Sequence, residues 1–224
     1  ILFFNLKNNG NIRPVMAGTG HNVSGFAWSP HIGWISFNST DCDTDGDGTY
    51  EGGGESGGAA PSGCPASGAV QDYGVAINKT TGDFSGWAWS PNVGWIDFGP
   101  TSGYPSPPNS PASYNSGNGN VTGWAKILSM GDDGWIKLRK QGSDGGSDYG
   151  VSIDSGTGEF SGWAWNANDT GAGIGWISFN CGNAEAPDCT NNYKVVTQLN
   201  SPPAVSNLTA PNWSYQQAAD YRNA

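Results

Sequence analysis

From Phe84 the chain reads "FSGWAWSPNVGWIDFG", and in its first run small and large side chains alternate. In a strand this puts Phe84, Gly86 and Ala88 on one face and Trp87 and Trp89 on the other. Two short runs rich in aromatic and β-branched residues, separated by Ser-Pro-x-x-Gly, are the pattern of a β-hairpin. Apolar positions do not recur with helical spacing.

The pattern returns as "NVSGFAWSPHIGWISFN" from Asn22, "VTGWAKILSMGDDGWIKL" from Val121 and "FSGWAWNANDTGAGIGWISFN" from Phe160. The glycines Gly25, Gly86, Gly123 and Gly162 fall 61, 37 and 39 residues apart, giving a unit of about 38 residues with one long insertion. A further run precedes two copies, "YGVAINKTTGDFSG" from Tyr73 and "YGVSIDSGTGEFSG" from Tyr149. Each unit is therefore expected to be a three-stranded antiparallel meander, with strands starting near Tyr73, Phe84 and Trp95 and again near Tyr149, Phe160 and Trp176. "NYKVV" from Asn192 has the character of the first strand of another unit. So small a sheet cannot hide its aromatic face alone, so the expected fold is all-β, with the units packed as sandwich-like or stacked sheets.

Two readings of the repeated tryptophans stand side by side. Trp28, Trp34, Trp87, Trp89, Trp95, Trp124, Trp135, Trp163, Trp165 and Trp176 can form a repeated aromatic core, since indole rings cover wide area at little rotamer entropy. Alternatively, exposed rings form a platform for sugars. The third copy departs from the others, with Lys126 in place of a Trp and "ILSMGDD" added, so its packing or exposure must differ.

The pattern divides the chain into an N-terminal extension (1–20), a first β-repeat lobe (21–99) with an insertion at 39–72, and a Pro/Ser/Gly-rich linker or loop at 100–119. A second lobe (120–199) and a tail (200–224) that begins with Pro-Pro, as the start of a further module would, complete it. The chain begins without Met and is expected to be processed or partial. Ile1, Leu2, Phe3 and Phe4 read as the end of a removed apolar segment or as an assembly strand that adds to a neighbouring sheet edge.

Charge narrows the choice of partner. Nine basic and 19 acidic residues give a net charge of −10, which repels a phosphate backbone and argues against nucleic acid. No apolar stretch approaches the roughly 20 residues a membrane span needs. Gly accounts for 36 residues and charged residues for 12%, and the bulk of the apolar mass comes from 11 Trp, 8 Tyr and 8 Phe.

Four cysteines show no zinc or haem spacing, and disulfides are their natural use in an exported protein. Cys42 and Cys64 flank the insertion after the first copy, and Cys181 and Cys189 stand at the corresponding place after the last. These equivalent positions favour the pairs Cys42–Cys64 and Cys181–Cys189. The insertion opens with "DCDTDGDGTYE", where Asp41, Asp43, Asp45 and Asp47, followed by Glu51, supply alternating carboxylates in a Gly-containing turn suited to a structural Ca2+. The plainer reading is a solvated acidic loop, since no Glu closes the loop at the twelfth position and no helix flanks it. His21 and His31 lack a nucleophile context, and no pair among Asp83, Asp97, Asp132, Asp133 and Glu159 is marked out as catalytic, so no enzyme activity is expected. Seven N-x-Ser/Thr sequons, including Asn22 and Asn38, are present.

The blocks "FSGWAWSPNVGWIDF" and "YGVSIDSGTGEFSGWAW" resemble those of bacterial secreted cell-surface proteins that carry tandem "GWAWS...GWISF" repeats, often followed by Ig-like or fibronectin-like modules. The resemblance covers roughly residues 20–205 and implies an extracellular location. With the apolar start, it leads to the expectation of a cell-surface or pilus-like filament subunit that polymerises through β-sheet contacts. The alternative is a carbohydrate-binding module or adhesin using exposed Trp.

Overall fold

A computed structural model describes residues 20–43, 63–65, 72–142, 147–166, 173–183, 189 and 192–199. The architecture is all-β. Strands β1 (Val23–Ser29), β2 (Gly33–Ser36), β3 (Val75–Ile77), β4 (Phe84–Ser90), β5 (Gly94–Asp97), β6 (Ser113–Tyr114) and β7 (Asn120–Thr122) come first. They are followed by β8 (Trp124–Ile127), β9 (Trp135–Lys137), β10 (Arg139–Lys140), β11 (Tyr149–Ile153), β12 (Phe160–Asn166), β13 (Gly175–Ser178) and β14 (Val195–Thr197).

Each copy of the repeat forms a hairpin: β1–β2, β4–β5, β8–β9 and β12–β13. The four hairpins pair edge to edge through β2–β4, β5–β8, β9–β12 and β13–β1, closing an antiparallel barrel of eight strands. The small face of each hairpin points inward. Ala27 pairs with Ile35, Ala88 with Ile96, Ala125 with Ile136 and Ala164 with Ile177, and all eight side chains are buried. An eight-stranded barrel has just enough interior for its own side chains, and a ring of Ala and Ile fills it. Each buried Ile contributes about 1.5–3 kcal/mol.

One end is plugged by aromatic rings. Phe37 lies 5.2 Å from Phe98 and 5.7 Å from Phe179, while Phe84 and Phe160 stack on Phe98 and Phe179. Leu138 takes the corresponding place in the third copy and is fully buried.

Around this plug the beginnings of the long strands pair with a second set of partners: β14 and β3 with β1, β3 with β4, β7 with β11, and β11 with β12. β6 pairs with β7, and the bridges Asp83–Ser113 and Glu159–Val196 complete this collar. The repeated glycine is where each long strand changes partners. Gly25, Gly86, Gly123 and Gly162 have φ between +84° and +90°, and a Cβ on any of them would stand 1.9–2.1 Å from the carbonyl oxygen of Lys194, Gly74, Pro111 or Gly150. Only glycine tolerates both that backbone and that approach. "NYKVV" therefore serves the first unit: β14 pairs with β1 along Val23–Gly25, supplying from the far end of the sequence the strand the first unit lacks.

The expected sandwich-like or stacked arrangement is thus replaced by closure into a ring. The physical reason is that narrow Ala/Ile faces leave no sheet broad enough to need a second sheet, while closure removes every edge of the barrel. Segments 21–99 and 120–199 each supply four strands to this one barrel, and part of 100–119 packs along the third unit.

Candidate functional site

The large face of every hairpin points outward. Trp28 and Trp34, Trp89 and Trp95, Lys126 and Trp135, and Trp165 and Trp176 are cross-strand partners on the outer surface. In the second and fourth units the two indoles meet edge to face with centroids 4.6 Å apart, favoured by the ring quadrupole. In the third unit Lys126 replaces one indole and holds its ammonium 4.6 Å from the centre of the Trp135 ring, so a cation–π contact stands where a ring pair does elsewhere.

A tyrosine packs against the second Trp of each unit: Tyr193 at 5.3 Å from Trp34, Tyr73 at 5.4 Å from Trp95, Tyr104 at 5.8 Å from Trp135 and Tyr149 at 5.1 Å from Trp176. Tyr73, Tyr149 and Tyr193 each stand two residues before the buried Val of a collar strand. The third unit lacks a tyrosine there and takes Tyr104 from the 100–119 segment instead.

What differs between units is the cover. In the first, the disulfide between Cys42 and Cys64 brings Gly63 so close that a Cβ on it would lie 2.8 Å from the Trp34 Cβ and 3.0 Å from the Phe26 ring. In the third, the Trp124 indole N–H donates to the Pro108 carbonyl at 2.7 Å, and Trp135 is only 9% exposed. The second and fourth units keep open faces, with Trp87 50% and Trp176 40% exposed. The residues equivalent to Trp87, namely Phe26, Trp124 and Trp163, are all half-buried.

Beside Trp87 is a shallow groove of about 360 Å³ lined by Asp72, Tyr73, Trp87, Trp95 and Leu128. Its Leu128 wall, 48% exposed, opens a 3-10 segment (Leu128–Gly134) formed by the extra residues of the third copy. Ser129 Oγ anchors that segment by donating to the Val93 carbonyl in the second hairpin turn at 2.6 Å. The opposite wall is fixed by the Tyr73 hydroxyl, which donates to Ser36 Oγ at 2.8 Å; burial pushes that phenol well above its ordinary range. Two carboxylates edge the aromatic surface. Asp72 accepts from Ser39 Oγ at 3.3 Å. Asp97 lies opposite Trp87 in register and accepts from the Gly99 N–H at 2.8 Å, and partial burial raises its pKa. The arrangement can stack a planar apolar face and accept hydrogen bonds at its rim.

The acidic segment has a different local role at its start. Asp41 lies in a 3-10 turn (Ser39–Cys42) opened by Asn38, whose side chain accepts from the Thr40 N–H. The turn aims Asp41 inward, where Oδ2 accepts from the Gly25 N–H at 2.6 Å, and burial raises its pKa to about 7. In the fourth unit Asn183 does the same for Gly162, accepting from its N–H at 2.7 Å and donating to its carbonyl at 2.7 Å. Asp43 follows the turn, while Asp45, Asp47 and Glu51 lie outside the described residues, as do Ile1, Leu2, Phe3 and Phe4. Among the described residues no group of three or more His, Cys, Asp or Glu is placed to hold a metal, and no helix is long and apolar enough to cross a membrane.

Both disulfides join the pairs expected from equivalent positions, Cys42–Cys64 and Cys181–Cys189. Sequon Asn38 is fully buried and donates to the Val23 carbonyl at 3.1 Å, so in the folded chain it is not open to a glycan. Sequence reasoning singled out Trp87 and Trp95 but passed over Asp72, Tyr73 and Leu128. Tyr73 was signalled by its recurrence as Tyr149 and Tyr193, each two residues before a collar-strand Val, and Leu128 by lying where the third copy departs from the repeat. Comparison of the chain with family models, with curated proteins and with solved structures finds no match.

Proposed function

We propose that the protein is an extracellular carbohydrate-binding module whose site is the aromatic groove at Trp87. The observation that carries this reading is the half-exposed Trp87 ring on a closed barrel. Held rigidly beside Tyr73, Trp95 and Leu128, it presents a stacking surface at little ordering cost. Pyranose rings with equatorial hydroxyls have apolar faces that suit such a surface, and their hydroxyls can donate to Asp72. A net charge of −10 disfavours anionic polymers and leaves neutral glycans as the matching class. Two disulfides accord with an oxidising, extracellular setting. The proposal is for binding without turnover. A structural Ca2+ belongs to it as a brace for the acidic insertion, held by Asp43 and the carboxylates that follow, since Asp41 is engaged by Gly25.

The filament-subunit reading has less support, because the closed barrel offers no edge for a neighbouring strand. Assembly through Ile1–Phe4 would need an acceptor outside that ring.

The test is a tryptophan-fluorescence titration of the full chain with cellohexaose and N-acetylchitohexaose, alongside Trp87→Ala. Saturable change that disappears in the variant is the expected result. No response to either sugar, or an unchanged response in Trp87→Ala, overturns the assignment.

A further inference from the structure

We infer that the fourth unit carries a second carbohydrate platform, centred on Trp176, and that the protein is bivalent. This inference rests on the glycan reading of the Trp87 groove.

The two faces are built from equivalent residues. Trp163, Trp165, Trp176 and Tyr149 in the fourth unit occupy the positions of Trp87, Trp89, Trp95 and Tyr73 in the second. The pair Trp165–Trp176 repeats the 4.6 Å edge-to-face contact of Trp89–Trp95, and Tyr149–Trp176 at 5.1 Å repeats Tyr73–Trp95 at 5.4 Å. Trp163 adds a third indole, 6.2 Å from Trp176. The exposed ring changes from Trp87 to Trp176, but each unit presents one indole with 40–50% of its surface open.

Barrel order places the two faces apart. The hairpins follow one another as units one, two, three, four and back to one, so units two and four are never neighbours and face opposite sides. The units between them are the ones whose aromatic faces are covered, by Gly63 in the first and by Pro108 and Tyr104 in the third. One glycan chain lying on one face therefore leaves the other free for a second chain. The faces are not identical: among the described residues Leu128 walls the Trp87 groove alone. An open indole in the same setting suits the same class of ligand, a neutral glycan.

The test is isothermal titration of the full chain with cellohexaose, with Trp87→Ala, Trp176→Ala and the double variant, paired with co-sedimentation on insoluble cellulose. Because Trp176 also packs on three neighbouring rings, Trp176→Leu is included, which keeps an apolar body and removes the ring face. The expected result is two sites in the wild type, one in each single variant and none in the double. Faces on opposite sides cannot both rest on one flat surface, so bivalency shows instead as bridging: the wild type should crosslink cellulose particles into larger sediments, and either single substitution should abolish the crosslinking while keeping single-site binding. One site, lost in Trp87→Ala and untouched by Trp176→Ala or Trp176→Leu, overturns bivalency and leaves the Trp87 reading standing. No binding in any form overturns both.

Discussion

The first and second units share a fold, a repeated glycine and an outward Trp pair, yet one face is closed and the other open. In the first, the Cys42–Cys64 clip presses Gly63 onto Phe26 and Trp34. In the second, no described segment lies over Trp87, which stays 50% exposed. The difference comes from the connections and not from the repeat. The barrel needs each Ala and Ile for its interior, so those positions record folding; the outer rings are needed only where something packs on them. An aromatic ring left open on a rigid support is therefore the part of this molecule that packing does not explain.

That comparison can be broken in four ways. The largest effect is expected at the partner-switching glycine, where open and covered units should suffer alike. Gly86→Ala or Gly25→Ala drives a Cβ to 2.1 Å from a backbone carbonyl, and each should cost more than about 4 kcal/mol, seen as loss of cooperative unfolding in a urea titration. Next, Trp34→Ala in the covered unit should lose about 3 kcal/mol, whereas Trp87→Ala should change stability by less than about 1 kcal/mol. Equal costs at the two positions would erase the distinction between them. Third, replacing Cys42 and Cys64 together by Ser should lower stability by about 2–4 kcal/mol and raise the accessibility of Trp34 to acrylamide quenching.

The smallest effect, read as the change across a single pH unit, compares the first unit with the fourth through Asp41 and Asn183. The folded state holds the Asp41 proton up to about pH 7, while an unfolded Asp releases it near pH 4. Its contribution is therefore complete below about pH 4 and is lost as pH rises through about 7, at roughly 1.4 kcal/mol per pH unit within that window. Asp41→Asn copies the Asn183 arrangement and should remove this slope, so thermal melts at pH 5 and pH 6 should differ less in the variant than in the wild type. Chelation adds a separate check on the insertion: removing Ca2+ should lower the melting temperature if the acidic residues beyond Asp41 hold it.

Much of the fold was legible along the chain because its determinants are local. Small/large alternation in "FSGWAW" separated the two faces of each hairpin without telling which turns inward, the Gly-containing turn marked the hairpin, and equivalent cysteine positions marked the clips. Closure was not legible, since it depends on four Ala/Ile faces fitting one interior and on β14 returning to β1 across nearly the whole sequence. The tryptophans illustrate the same limit: alternation put them on one face, but whether that face is covered depends on Gly63, Tyr104 and Pro108, which sit in connections without periodicity. Asp41 was read with its acidic neighbours as a candidate calcium ligand, whereas the 3-10 turn after Asn38 aims it at Gly25, and only the tertiary approach of Gly25 reveals that task.

The central claim, that open indoles on a closed barrel bind neutral glycan, is tested most directly by hydroxyl-radical footprinting of the full chain with and without cellohexaose, resolved to single tryptophans by mass spectrometry. The account predicts that Trp87 and Trp176 are the most oxidised of the ten repeat tryptophans and that Trp87 is protected by the sugar. Oxidation of Trp28 and Trp34 to the same extent, or no protection at Trp87 at saturating sugar, would contradict it.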